Sequence, residues 1–348
     1  MKFGLFGGAS VGPSDIVGDS HAYRDYIDYV CEAEALGFCS VFLVEHHFTG
    51  INQVSASLGF LTYLAAKTSR IRLGTAVVVL PWHNPVLLAE QAATLDLLSG
   101  GRFDFGIGRG YRHNEYYGFG IDMGEGGERY EECLEVIRKA WTTKGRFSHH
   151  GKYWRFNDII VEPSPVQEPH PPFWIGANSH ASIRRAGESG FNLLLGQLPS
   201  LEEAAENVRV YREGVESRGR IFDPHSVALC RALHVVRNTR EREEAYEKRA
   251  KFLLAAAALA GGGSHSHVPL PNTPEENREA MEASALIGDA EEIIARLKRL
   301  EAGGVRHVLL MDVSGSREAL RIFAREVMPA FAEPSELAQT RARAARSA

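Results

Sequence analysis

Short β-rich apolar runs alternate along this chain with longer stretches whose apolar residues recur at helical spacing. Residues 2–7 read as a strand and 21–36 as a helix, then 40–44 and 55–68, 72–80 and 85–98, 102–107 and 127–141 repeat the pair. The third helix opens on Pro85, where the missing N–H would have had no intrahelical partner. A hairpin is expected across 147–161, then a proline-rich connection over 163–172, then strands at 173–177, 191–195, 227–236 and 305–311 separated by helices. Eight strands, each followed by a helix, predict the α/β class and a closed (β/α)8 TIM barrel in preference to an open doubly wound sheet.

With 348 residues, 44% of them hydrophobic, the chain can bury the core of such a barrel in one domain, taken as residues 1–332. Two segments break the rhythm. A glycine- and proline-rich stretch at about 261–285, just before the last strand, is expected to be a mobile, lid-like loop over the barrel mouth. The polar end, 333–348, is expected to be a flexible tail.

Charge narrows the partners. The 39 Lys+Arg against 44 Asp+Glu leave a formal charge of −5, so there is no global basic field to gather nucleic acid or anionic lipid, and neither is expected to bind. The first eight residues are too short and glycine-broken for a signal segment, and no apolar run approaches the length of a membrane span, which predicts a cytoplasmic protein. Cys31, Cys39, Cys133 and Cys230 show no paired spacing and mostly sit among apolar residues, as reduced, buried thiols would.

In a (β/α)8 barrel the loops after the strands build the active face, so the chemistry to look for lies just past each strand. The second strand ends at Glu45-His46-His47-Phe48, an acid and two imidazoles. Neighbouring strand residues point to opposite faces, so His46 and His47 should not both reach one metal ion, and no metal is expected. His46, with an ordinary pKa near ~6.5, can move a proton at neutral pH or be structural. The third strand ends at Pro81-Trp82-His83-Asn84-Pro85, the fourth at Gly106-Ile107-Gly108-Arg109-Gly110 and the fifth at Asn178-Ser179-His180. Arg109, between two glycines that allow close approach, can grip a phosphate through two parallel hydrogen bonds or form an ordinary salt bridge. Ser179 and Ser182, at the start of a helix, can help hold the same phosphate or serve as a plain N-cap. The 106–110 segment lacks the Gly-x-Gly-x-x-Gly spacing, and Tyr111-Arg112-His113-Asn114-Glu115 opens no clear helix, so a nicotinamide dinucleotide is not expected.

Several of these segments, namely Met1-Lys2-Phe3-Gly4, Glu45-His46-His47-Phe48, Leu73-Gly74-Thr75-Ala76, 101–110 and Val327-Met328-Pro329, occur in an order and spacing that resemble the bacterial luciferase-like flavin-dependent monooxygenases over nearly the whole chain. The resemblance implies a two-component enzyme: a separate flavin reductase supplies reduced FMN, dioxygen adds to it as a flavin hydroperoxide, and a small organic substrate, an aldehyde or an apolar molecule, is oxygenated. A homodimer is expected. By the same resemblance Arg109 grips the FMN phosphate with Ser179 and Ser182, Glu45 and the backbone at Ala76 and Val77 lie beside the flavin, and His46 is the acid/base. A non-proline cis peptide would fall between Ala76 and Val77. Where luminous members carry Cys, Glu and Trp around the flavin, this chain has Gly108, Asn178 and Gln197, so its ring environment differs and light emission is not implied. Two alternatives share the resemblance: a deazaflavin-dependent dehydrogenase, against which Glu-His-His-Phe argues, and a non-catalytic flavin-binding subunit, against which His46 and Arg109 together argue.

Overall fold

Eight parallel strands pair in chain order and the eighth returns to the first: β1 (Lys2–Gly7), β2 (Ser40–Leu43), β3 (Arg72–Thr75), β4 (Phe103–Gly108), β5 (Phe173–Gly176), β6 (Asn192–Leu195), β7 (Val227–Val235) and β8 (His307–Asp312). Closure runs through Lys2 opposite His307 on one side of β1 and Gly4 opposite Ser40 on the other. This is a computed structural model, and it describes residues 1–9, 19–49, 54–260, 273–313 and 316–332. The helices outside the ring are α1 (Asp19–Leu36), α2 (Ser57–Lys67), α3 (Pro85–Ser99), α4 (Gly126–Thr142), α5 (His180–Ser189), α6 (Leu201–Glu216), α7 (Thr239–Ala260), α8 (Pro274–Ser284), α9 (Ala290–Ala302) and α10 (Arg317–Glu326). The (β/α)8 barrel expected from the alternation is therefore the architecture found. Among the described residues no helix is long and apolar enough to cross a membrane.

Strand alternation divides the core into two shells. Phe3, Leu5, Val41, Leu43, Leu229 and Leu233 face the helices, while Phe42, Trp174, Leu194, Ala228, Cys230 and Leu309 fill the barrel interior. Local chemistry sets the helix ends. Asn84 caps α3 by accepting from the Val86 and Leu87 amides, and Gly100, at φ 65°, closes its far end in the left-handed region that glycine enters without strain. The boxes Ser200/Glu203 and Asp289/Glu292 start α6 and α9.

Several local expectations are revised. The run at 72–80 is not one strand: it stops at Thr75, resumes as Val78–Val79 beside β4, and turns into a 3₁₀ segment at Leu80–Trp82. Between the two pieces the Ala76–Val77 peptide bond is cis, at the position implied by the resemblance. The chain bulges there against β4, and a Cβ on Gly106 would overlap the Thr75 carbonyl, so only glycine fits. The expected hairpin is present as Phe147–His150 against Arg155–Ile159. Of the expected lid, 261–272 lies outside the described residues and Pro274–Ser284 is helical, after which Leu286–Gly288 adds a short parallel strand to the end of β7. The expected tail, 333–348, lies outside the described residues as well. All four cysteines are unpaired; Cys133 and Cys230 are buried, Cys31 and Cys39 only partly so.

One feature of the helical layer bears on the site. A short helix, His113–Gly118, follows β4, and α7 follows β7, three strands further round the ring, yet the two helices touch. Together they bridge the C-terminal mouth of the barrel.

Candidate active site

Past the end of β2, Glu45 is almost completely buried, and its Oε1 accepts three hydrogen bonds: from Trp82 Nε1 at 2.8 Å, His83 Nε2 at 2.8 Å and His47 Nε2 at 3.1 Å. Two of these donors come from the loop after β3, so the carboxylate ties adjacent strand ends together. Burial works to raise this carboxyl, but the hydrogen bonds from His47, His83 and Trp82 outweigh it and hold it at about 2 against its ordinary 4.5. A carboxyl lowered in the fold stabilises the protein above its unfolded value and loses that contribution as pH falls through the folded one. The contribution is roughly 3 kcal/mol at neutral pH. It should vanish between about pH 4.5 and pH 2. Glu45→Gln should therefore flatten the acid-side fall in unfolding free energy, measured by denaturant titration across that window; an unchanged slope would refute the assignment.

The two imidazoles diverge, as strand alternation requires. His47 turns to Glu45, and His46 places its Nδ1 3.0 Å from Glu115 Oε1. The same Glu115 oxygen accepts from the His47 backbone N–H at 3.0 Å. With a carboxylate against Nδ1, the proton sits on that nitrogen and Nε2 keeps its lone pair. Burial lowers the His46 pKa below its ordinary value, Glu115 pulls it upward and Arg112 reinforces the lowering, so the imidazole is neutral at neutral pH. Among the described residues no group of three or more His, Cys, Asp or Glu is placed to hold a metal ion.

Glu115 was not singled out from the sequence, because 111–115 showed no clear helical opening. The structure corrects this. His113–Gly118 is a helical turn and a half, and its buried Glu115 is what orients His46. The available signal was the Arg112/Glu115 spacing of three, which places the two on one helical face, here 4.0 Å apart. Among the described residues Arg112 Nε and Nη1 and both side-chain heteroatoms of Asn114 are buried without a hydrogen-bond partner.

Arg109, next after β4, is exposed, and its guanidinium makes no hydrogen bond or ion pair among the described residues; the salt-bridge alternative is not realised. Only its backbone carbonyl is engaged, by the Tyr116 hydroxyl at 2.5 Å. On the neighbouring strand end Ser179 caps α5, accepting from the Ser182 N–H at 3.3 Å, with the two hydroxyls 2.9 Å apart. The N-cap alternative is thus real. It leaves the first amides of α5, those of His180 and Ala181, without an intrahelical acceptor, after the strand that pairs with the one ending at Arg109. Between these groups and β2 the mouth is floored by small residues. Gly108 packs so closely on Val77 that a Cβ would overlap the Val77 side chain, and at Gly176 a Cβ would meet only Val77 Cγ1, at 3.9 Å. A flat ring can lie on such a floor. Asn178, exposed, follows β5, and its Oδ1 lies close to where a Gly196 Cβ would stand, at 3.2 Å.

Gln197 does not stand alone. Its Oε1 accepts from Arg249 Nη2, and its backbone carbonyl accepts weakly from Arg231 Nη1 at 3.4 Å. Both arginines are buried, and sequence reading missed both, since an arginine inside an apolar strand or on a charged helix face looks like any solvated one.

The profile of the luciferase-like monooxygenase family matches residues 1–307. The oxygenase component of the flavin-dependent trigonelline monooxygenase of Acinetobacter baylyi is 30% identical over 338 residues, covering 92% of this chain and 93% of that protein. The alkanal monooxygenase alpha chain of Photorhabdus laumondii is 29% identical over 198 residues, 57% of this chain and 54% of its own. Among solved structures, a monooxygenase from Streptomyces bottropensis superposes with a TM-score of 0.81 at 25% identity, over 95% of this chain and 100% of that one. Fold, strand-end residues and relatives agree: the chain belongs to the luciferase-like monooxygenase family.

Proposed function

We propose that this chain is the oxygenase component of a two-component system: a separate flavin reductase supplies reduced FMN, which binds at the barrel mouth and serves the oxygenation of a small organic substrate by dioxygen. The observation that carries the cofactor assignment is the exposed Arg109 guanidinium, without a partner among the described residues, on the strand end next to the one that leads into α5. A bidentate donor and helix amides thus stand on adjacent strand ends, and one phosphate can engage both. The relatives agree with a flavin, since one is named as the oxygenase component of a flavin-dependent monooxygenase and another as FMNH2-dependent. A homodimer in a reducing, cytoplasmic setting completes the reading, supported by the unpaired thiols.

When bound, reduced FMN supplies the electrons that activate dioxygen, one oxygen atom going to substrate and the other leaving as water. The chain's own residues provide the setting. Arg109, Ser179 and Ser182 hold the phosphate. Ala76, Val77 and Gly108 form the floor beneath the ring, with Asn178 and Gln197 at its edge. His46, neutral and oriented by Glu115, accepts or returns a proton at Nε2. Glu45 stays ionised and holds His47, His83 and Trp82 in place around the opening. The bridge of α7 and the short helix keeps bulk water from the reacting centre.

The test is a stopped-flow mixture of protein, reduced FMN and oxygen, followed by a substrate screen that reads hydrogen peroxide release. Flavin oxidation should be resolved into more than one phase and be slower than for free reduced FMN, and a productive substrate should lower the peroxide released. Oxidation in a single phase at the free-flavin rate would overturn the proposal.

A further inference from the structure

The barrel mouth holds a positive charge that pairs with no acid among the described residues. Arg249, on the buried face of α7, is 3% exposed. Its Nη2 donates to Gln197 Oε1 and its Nη1 lies 3.4 Å from Met311 Sδ. Gln197 lies two residues past β6 and Met311 near the end of β8, and β7 stands between those strands, so the guanidinium lies over the C-terminal end of β7. Both of these partners are neutral. Burial alone lowers its pKa, to about 10, with no acid raising it again. The guanidinium stays charged at neutral pH, at the cost of desolvation without a counter-ion among the described residues.

The described groups nearest Arg249 offer further donors. Gln197 turns its amide oxygen to Arg249, so its NH2 group remains a donor with no partner among the described residues. Arg231, fully buried, gives its Nη2 to the Pro199 carbonyl at 2.8 Å and its Nη1 to the Cys230 carbonyl at 3.0 Å, fastening the loop that carries Gln197. On the end of β7, His234 has a buried Nδ1 without a partner. Ala228 and Cys230 face the barrel interior, and His234 shares their side of the strand.

We infer that the substrate of this oxygenase carries an anionic group, a carboxylate, held by Arg249 at the mouth of the barrel with the Gln197 amide beside it. The inference rests on the flavin reading for what happens to that substrate, but the binding itself does not require flavin. A carboxylate supplies the missing counter-charge and matches the planar fork of guanidinium donors. Arg249 is a binding and positioning group that does no chemistry.

Equilibrium binding of benzoate and hexanoate, each against its primary amide, tests this at constant ionic strength on the cofactor-free and the FMN-loaded protein. At least one carboxylate should bind with one-to-one stoichiometry and at least tenfold tighter than its amide in both forms. Arg249→Gln should abolish that preference while melting close to the parent and keeping its FMN affinity; Arg249→Lys should restore part of it. Equal binding of acid and amide, no saturable binding of either acid, or a preference that survives in Arg249→Gln overturns the inference. So does loss of FMN affinity in Arg249→Gln, which would assign the charge to the flavin. Failure of the parent protein to bind FMN while the carboxylate preference holds would instead sink the flavin reading and leave the anion site standing.

Discussion

Replacing His46 by alanine should slow turnover by a factor of about 100 or more while flavin still binds, because a positioned acid/base contributes on that scale and binding does not depend on it. The geometry gives the imidazole a defined state. Glu115 holds Nδ1–H at 3.0 Å, leaving Nε2 as the working nitrogen. Burial keeps the ring neutral at neutral pH, so the rate of the parent enzyme should be flat at and above neutrality and fall only at acid pH, below the ordinary histidine value. Glu115 raises the His46 pKa, so Glu115→Gln should move that acid limb to still lower pH and reduce kcat more than it changes KM. The readout is the pH profile of flavin-coupled oxygen uptake. A His46→Ala enzyme with the parent's rate and profile would remove His46 from the chemistry.

The second large effect is expected at Arg109. A buried-on-binding, charge-assisted bidentate contact is worth roughly 3 kcal/mol, or about 100-fold in affinity, against roughly tenfold or less for one neutral hydroxyl. Arg109→Ala should therefore weaken FMN far more than Ser182→Ala does. It should also shrink the preference of the protein for FMN over riboflavin, because the phosphate would then meet only the α5 amides and the serine hydroxyls. Titration of flavin fluorescence measures each of these constants. Equal affinities for FMN and riboflavin in the parent protein would mean that the phosphate is not bound where Arg109 and α5 meet.

The two predictions differ in how far they were legible beforehand. Arg109 and Ser179 stand in local sequence contexts, a strand end between glycines and a helix start, whose chemistry follows from backbone geometry that the sequence itself encodes. His46 was legible as a candidate but not as a mechanism. What makes it neutral and oriented is Glu115, 69 residues later, arriving on a helical turn too short to leave a periodic signal. Likewise Glu45 was visible as an acid at a strand end, and Trp82 and His83 as residues of the same rim. That Trp82 and His83, with His47, converge on a single carboxylate oxygen depends on where the loop after β3 returns. Arg249 and Arg231 were invisible, since nothing in their immediate neighbours separates a buried arginine from a solvated one.

By itself the sequence determined the alternation of strand and helix, the closed barrel that follows from eight such units, the strand ends on which chemistry stands, and the resemblance that the family comparison bears out. These properties are periodic or local: side-chain spacing selects the element, and the topology of parallel strands then places every strand end on one face. Only the tertiary structure decided the break of the third strand after Thr75, the pairing of His46 with Glu115, the bridging of the mouth by α7, and the burial of Arg249 against neutral partners. Each of these depends on contacts between segments far apart in the chain, and the charge and proton state of a buried group are set by whichever neighbours folding brings within a few ångströms of it.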